Sequence, residues 1–308
     1  MRVARSLTAF SLPLLIALTA CGGSPSDEPA AEQSSAAGDF PVTVTDARGE
    51  VTLEAMPERI VSLSPSLTEI LFEVGAGEQV VAVDEYSYYP PEAPTTDLSG
   101  FTPNVEAVAE YEPDLVVLSE DGGDITEQLE KLAIPVLLLP AAQTLDDTYA
   151  QMELLGEATG NTEEGAAAAD GLRERIDGIV AGIGDDAAGL SYYHEIDAQL
   201  YSVTSDTFIG QVYGLFGLAN IADQAPDTAG GYPQLSAEFV VEQDPDLIFV
   251  SYPGGVEDVR GRPAFDSVTA VREQNVVEVD ADTSSRWGPR VADFAEDVAE
   301  AIEAARAE

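Results

Sequence analysis

Glu106-Ala107-Val108-Ala109-Glu110-Tyr111-Glu112-Pro113-Asp114-Leu115-Val116 returns 132 residues later as Glu238-Phe239-Val240-Val241-Glu242-Gln243-Asp244-Pro245-Asp246-Leu247-Ile248. In each copy a helix-like stretch stops at Pro-Asp, which turns the chain into a short apolar run. A period this long means duplicated lobes, not a solenoid of small repeats. Around the first copy the chain reads as strand Ile60 to Leu63, helix Ser66 to Val74 closed by Gly75 and Gly77, and strand Val80 to Val83. Strand Leu115 to Leu118, helix Asp124 to Leu132 and strand Val136 to Leu139 follow. Strands alternating with helices over such lengths predict a parallel sheet covered on both faces. Before the second copy, Ser202-Val203-Thr204 corresponds to Ser62-Leu63-Ser64, and Gly217 to Gly75.

Between the copies, Leu145 to Ile183 carries no strand signal. Tyr149, Met152, Leu155, Leu172, Ile176, Ile179, Val180 and Ile183 recur there at helical spacing. The spacing predicts one long connecting helix over 144–185, weakened in the middle by Gly156, Gly160 and Gly165 and kinked near Gly160. The expected fold is therefore α/β, with two Rossmann-like lobes of parallel sheet, at 40–143 and 186–308, joined by that helix. A cleft between two such lobes is a usual place for a ligand.

The N-terminus indicates where the protein acts. Arg2 and Arg5 precede the mostly apolar run Ala9 to Ala20, and Leu18-Thr19-Ala20-Cys21 follows the pattern of a secretory cleavage site. The run is too short to span a bilayer. Cys21, the one cysteine of the chain, stands at the first mature position, as in a bacterial lipobox. The expectation is a signal peptide over 1–20, lipidation at Cys21 and a flexible Gly/Ser/Pro/Ala tether over 21–39 that anchors the protein to the outer face of the cell membrane.

Composition removes whole classes of function. The chain of 308 residues has 57 Asp and Glu against 13 Lys and Arg, for a formal charge of −44; losing Arg2 and Arg5 makes it −46. A nucleic-acid binder needs a basic face, and a polybasic membrane contact needs the same. Both are excluded. A hydrophobic share of 45% is ordinary for a globular core, so the acidity is not that of a disordered tail. Lys131 is the only lysine. Such a surface suits a protein bathed in salt, and an acidic exported protein from a GC-rich genome has the same composition.

Catalytic constellations fail on inventory. His194 is the only histidine, so metal sites and nucleophile pairs built from Cys and His are ruled out. A Ser-His-Asp arrangement would have to use His194, yet no Gly-x-Ser-x-Gly elbow is present. His194 beside Tyr192 and Tyr193 reads as structural, with a lipid-anchored hydrolase as the rival. No phosphate loop surrounds Lys131, and Asp185-Asp186 lacks the spaced oxygens of a calcium loop. No metal and no cofactor are implied.

Aromatic and arginine residues gather instead in loops that follow strands. These are Tyr86 and Tyr89 after Val83, Phe101 before Pro103-Asn104, Tyr201, Tyr232 and Arg286-Trp287-Gly288-Pro289-Arg290. Loops at the carboxyl ends of parallel strands line the ligand crevice of such sheets. Rigid rings with a few directed polar groups suit a large, partly flat, partly polar ligand.

The blocks Arg59-Ile60-Val61-Ser62-Leu63-Ser64-Pro65-Ser66-Leu67-Thr68-Glu69, Tyr86-Ser87-Tyr88-Tyr89-Pro90, Asn104-Val105-Glu106, Pro113-Asp114-Leu115-Val116 and Tyr232-Pro233-Gln234-Leu235-Ser236-Ala237-Glu238 carry a family resemblance. In order and spacing, over about residues 41 to 305, the chain resembles the helical-backbone (class III) solute-binding proteins of ABC importers, above all their periplasmic cobalamin-binding branch. The resemblance implies capture without chemistry by a monomer that delivers its ligand to an ABC permease dimer. The implied ligand is cobalamin or a related corrinoid, with a ferric siderophore or haem as the alternative. It implies ligand-facing roles for Tyr86 or Tyr89, Phe101, Tyr201, Tyr232, Asp282 and Arg286, and permease docking by Glu106 and Glu238, one per lobe. Trp287 and Arg290 extend the same loop, and Arg260 and Arg262 are further cations near it in sequence. Phe101 and Tyr232 stand where the branch has Trp, and a third Trp position falls on Ser119 or Glu120. The stacking faces are thus smaller here.

Overall fold

A computed structural model describes residues 40–307. The signal sequence, Cys21 and the tether lie outside the described residues.

The described residues start with an antiparallel hairpin, β1 (Val42–Asp46) and β2 (Gly49–Leu53), which the sequence reading did not include. Its signal is present: Val44 and Leu53 alternate with exposed polar residues on a two-residue period. The first lobe follows as β3 (Ile60–Leu63), α1 (Pro65–Glu73), β4 (Val80–Val83), α2 (Val105–Ala109), β5 (Leu115–Leu118), α3 (Ile125–Glu130) and β6 (Val136–Leu138). Next come α4 (Leu145–Ala158) and α5 (Thr162–Ile183). The second lobe comprises β7 (Ser191–Glu195), α6 (Phe208–Leu215), β8 (Ala219–Asn220), α7 (Ala237–Gln243), β9 (Leu247–Val250), α8 (Gly255–Gly261), α9 (Thr269–Arg272), β10 (Val276–Glu278), α10 (Ala281–Ser285) and α11 (Val291–Arg306).

The first sheet runs β4-β3-β5-β6 and the second β8-β7-β9-β10, all parallel. Numbered within its own lobe, each sheet has the order 2-1-3-4, which bears out the duplication. The repeat is not uniform, however. Ser202-Val203-Thr204 is not a strand; the counterpart of β3 is β7, and a loop from Ile196 to Thr207 separates it from α6. Gly75 and Gly217 do correspond, each closing its helix at positive φ (+86° and +74°).

Strand residues sort by parity, as a sheet buried on both faces requires. Ile60, Leu115 and Val117 join one core, whereas Val61, Leu63, Val116 and Leu118 join another with Val108, Ile125 and Leu129. In the second lobe Tyr192, Leu247 and Phe249 join the first of these cores, and Tyr193, Ile248 and Val250 form a third. One central core therefore runs from lobe to lobe through α1, α4, α5, α6 and α11, with an outer core on each side.

The single connecting helix needs correction. Thr159, Gly160 and Asn161 divide it into α4 and α5, and Gly160 takes φ +79°. The two helices pack on each other so closely that a Cβ on Gly156 would lie 2.7 Å from the Cα of Gly165. The glycines that weaken the periodic pattern thus mark a helix–helix contact. The first helix of the pair packs on α1 and β1, the second on α11. Only α5, 22 residues or about 33 Å long, makes the crossing.

Candidate functional site

In both sheets the chain order reverses beside the first strand, and sheets of this kind take ligands at that point, here the carboxyl ends of β3 and β5 in one lobe and β7 and β9 in the other. At the first-lobe end, Leu63, which closes β3, and Asp84 and Ser119, which follow β4 and β5, wall a cavity of about 70 Å³. Tyr86 and Phe101 stand at its edge, their rings 5.9 Å apart and edge to face. Both are exposed, Phe101 to 66%. Beneath them runs a buried polar chain: Thr68 donates to Ser62 or Ser87, and Ser87 donates to Asp84 over 2.8 Å. Asp84 also accepts from the Tyr86 amide at 2.8 Å. Burial holds the Asp84 carboxyl above its ordinary range, against the pull of those two hydrogen bonds.

An ion cluster joins the lobes beside this cavity. Glu69 sits in a run of α1 that is buried from Leu67 to Leu71 and is itself 4% exposed. Arg290 donates to it through two nitrogens, at 2.9 and 2.6 Å, and Arg286 through a third at 3.4 Å. Arg286 also reaches Asp282 at 3.1 Å and the Tyr86 carbonyl at 3.1 Å. Tyr88 donates to Asp282 and lies under the Arg286 guanidinium, while Arg290 covers the Tyr89 ring at 4.1 Å. The bond to Asp282 raises the Tyr88 hydroxyl pKa. Arg286 is thus partnered by a carboxylate from each lobe, and Arg290 by Glu69.

At the second-lobe end, backbone bonds bring two loops together. Ser202 and Thr204 donate to the carbonyls of Pro233 and Gly231 at 2.9 and 2.8 Å, and Leu235 donates to Leu200. This zipper places Tyr201 and Tyr232 on neighbouring loops, both partly exposed. Behind them Glu195, fully buried, receives Arg262 bidentately at 2.7 and 2.7 Å and the Tyr252 hydroxyl at 2.7 Å. Asp258 accepts from the same arginine and tyrosine. His194 is fully buried, its Nδ1 2.8 Å from the Tyr213 hydroxyl and its Nε2 3.2 Å from that of Ser251. Burial lowers its pKa to about 3, so the ring stays neutral within a polar core contact and has no access to a substrate.

Residues 60–283 match the periplasmic binding protein family. Over 317 aligned residues the chain is 31% identical to the ABC transporter substrate-binding lipoprotein YvrC of Bacillus subtilis, covering 98% of each. The chain belongs to the periplasmic binding protein family. It is 32% identical to the cobalamin-binding protein of Halobacterium salinarum, across 93% of this chain and 81% of that one. Among solved structures it resembles the vitamin B12 binding protein BtuF of Vibrio cholerae, at 28% identity and a TM-score of 0.69, over 82% of this chain and 99% of the other. The haem-binding protein RhuT of Roseiflexus shares the fold, with a TM-score of 0.70 at 24% identity, over 80% and 99%. This is an extracytoplasmic solute-binding fold of the class III type, and it accounts for the duplicated lobes.

Against that family frame, the expected ligand-facing residues divide into two groups. Tyr86, Phe101, Tyr201 and Tyr232 are exposed rings at the carboxyl ends of the sheets. Tyr89, Asp282, Arg286 and Arg290 belong to the inter-lobe ion cluster. Trp287 instead packs edge-on to Phe208, with ring centroids 6.0 Å apart and its indole nitrogen buried. Arg262 is held by Glu195, and Arg260 is exposed on α8. Sequence reasoning missed Glu69, Asp84 and Tyr88. Each left a trace: an acid inside an apolar helical run, an acid directly after the apolar strand Val80–Val83, and a tyrosine between two that were read as ligand-facing.

Proposed function

We propose that this family member captures cobalamin or a related corrinoid outside the cytoplasm and delivers it to an ABC permease dimer. One observation carries the choice of ligand: Glu69 and Asp282 already neutralise Arg286 and Arg290, while Asp84 and Glu120 add uncompensated acid to the crevice. An anionic ferric chelate, or haem with its two carboxylates, would need free cations there. A near-neutral macrocycle needs flat apolar faces, and Tyr86, Phe101, Tyr201 and Tyr232 offer them. The cobalamin-binding names among the relatives favour the same reading.

In this reading Glu106 and Glu238 meet basic groups of the permease. Each is exposed in the first turn of a short helix, α2 or α7, whose cap is Asn104 or Ser236. Duplication places them equivalently, which suits a two-fold partner. Lipidated Cys21 would hold this monomer near that partner. Calorimetry against cyanocobalamin, haem and a ferric siderophore tests the proposal. Submicromolar binding of cyanocobalamin with haem at least about a hundredfold weaker is expected, and tight binding of the siderophore alone would sink it. Glu106→Ala with Glu238→Ala should abolish uptake while leaving ligand affinity unchanged.

A further inference from the structure

The cavity at the carboxyl ends of β3, β4 and β5 has a donor and acceptor inventory of its own. Ser64 caps α1 by position, yet its side chain makes no capping bond and, among the described residues, has no hydrogen-bond partner. It lines the cavity while only 5% of it is exposed. Asp84, 2% exposed, supplies carboxylate oxygens that keep accepting capacity beyond the Tyr86 amide and the Ser87 hydroxyl. Glu120, which also lines the cavity, is exposed and in no ion pair among the described residues. No cation lines the space; the nearby Arg286 is engaged by Glu69 and Asp282. Gly100 keeps the cavity open, since a Cβ there would lie 2.8 Å from the Leu63 carbonyl oxygen and 3.5 Å from the Asp84 carboxyl carbon.

We infer that this cavity is a subsite for one uncharged, N–H-donating arm of the ligand, a primary carboxamide, and that it rejects the corresponding carboxylate. The proposal rests on the corrinoid reading, because a corrinoid rim carries such amides. A carboxamide has two N–H donors for Asp84 and Glu120 and one carbonyl acceptor for the Ser64 hydroxyl, which matches the wall group for group. A carboxylate brings no donor and adds a like charge beside a buried one. Sites that hydrogen-bond a substrate N–H discriminate strongly against the analogue lacking it. The volume of about 70 Å³ suits an arm, not the body of a macrocycle.

The test compares cyanocobalamin with its peripheral monocarboxylic acids, each having one rim amide hydrolysed, by calorimetry on the mature chain. At least one isomer should bind about tenfold or more weakly than the parent, with the others within about threefold. Asp84→Asn should shrink that penalty below about threefold, and Glu120→Gln, on an exposed side chain that folding does not depend on, should halve it or better. Ser64→Ala should weaken the parent about three- to tenfold without lowering the melting temperature, because no capping bond is lost. If every acid binds within threefold of the parent, or if neither carboxylate variant changes the penalty, the subsite is refuted while the corrinoid reading stands. If cyanocobalamin does not bind at all, both fall together.

Discussion

Third strands in the two lobes are followed by Ser119-Glu120 and Ser251-Tyr252, at corresponding places of one repeat and one topology. In the first lobe Ser119 and Glu120 face an open cavity under two exposed rings. In the second, Tyr252 closes over Glu195 together with Arg262 and Asp258, and Ser251 bonds His194. Duplication thus copied the scaffold, while a few side chains decided which end would be filled and which left free. Filling requires charge compensation, since an acid as buried as Glu195 is tolerated only with its partners. Leaving the end free requires small residues and exposed rings.

The largest test breaks the filled end. Arg262→Met strands Glu195 as an unpaired buried acid and should cost about 3–5 kcal/mol in urea unfolding. A loss below 1 kcal/mol would mean that the cluster is not what closes this end. Next is the bridge between the lobes. Glu69→Gln should cost about 1–3 kcal/mol and, by loosening Arg286 and Arg290, increase the affinity for haem relative to cyanocobalamin.

Acid stability gives a third test, carried by two shifted groups of the second lobe. His194 has a pKa of about 3 in the fold against about 6.5 unfolded, so the unfolded chain binds the proton more readily. Stability should fall as pH drops below 6.5, by up to about 1.4 kcal/mol per unit, until it levels near pH 3. Asp297 opposes this. Burial first, then the neighbouring acids led by Glu300, raise it to about 6, so its protonation stabilises the fold as pH falls from 6 towards 4. Being only half-buried, it is the weaker influence. Urea midpoints between pH 4 and 7 should show a flatter acid loss in His194→Gln and a steeper one in Asp297→Asn. The smallest effect belongs to the open end: Phe101→Ala should change stability by no more than about 0.5 kcal/mol, so that any loss of ligand affinity reports contact with the ring.

How much of this was legible in the sequence follows from the range of each interaction. Short-range signals were readable: Pro113-Asp114 and Pro245-Asp246 at strand entrances, apolar quartets such as Leu115–Leu118, and Gly75 and Gly217 as helix stops. Rings in the loops after strands were readable for the same reason. The reading went astray where one residue type serves two ends. Gly156 and Gly165 looked like weaknesses of one helix and proved to be the contact between two. Arg286 and Arg290 looked free because Glu69, more than 200 residues earlier, cannot be paired with them from spacing.

By itself, then, the sequence determined the duplicated α/β lobes and the family, because periodicity, turn chemistry and repeat spacing are local properties of the chain. The tertiary structure alone decided which charges cancel. It assigned Arg286 and Arg290 to Glu69 and Arg262 to Glu195, and it left Asp84 and Ser64 facing an open space. Whether a charge is available to a ligand depends on neighbours within a few ångströms, and folding, not sequence order, supplies those neighbours.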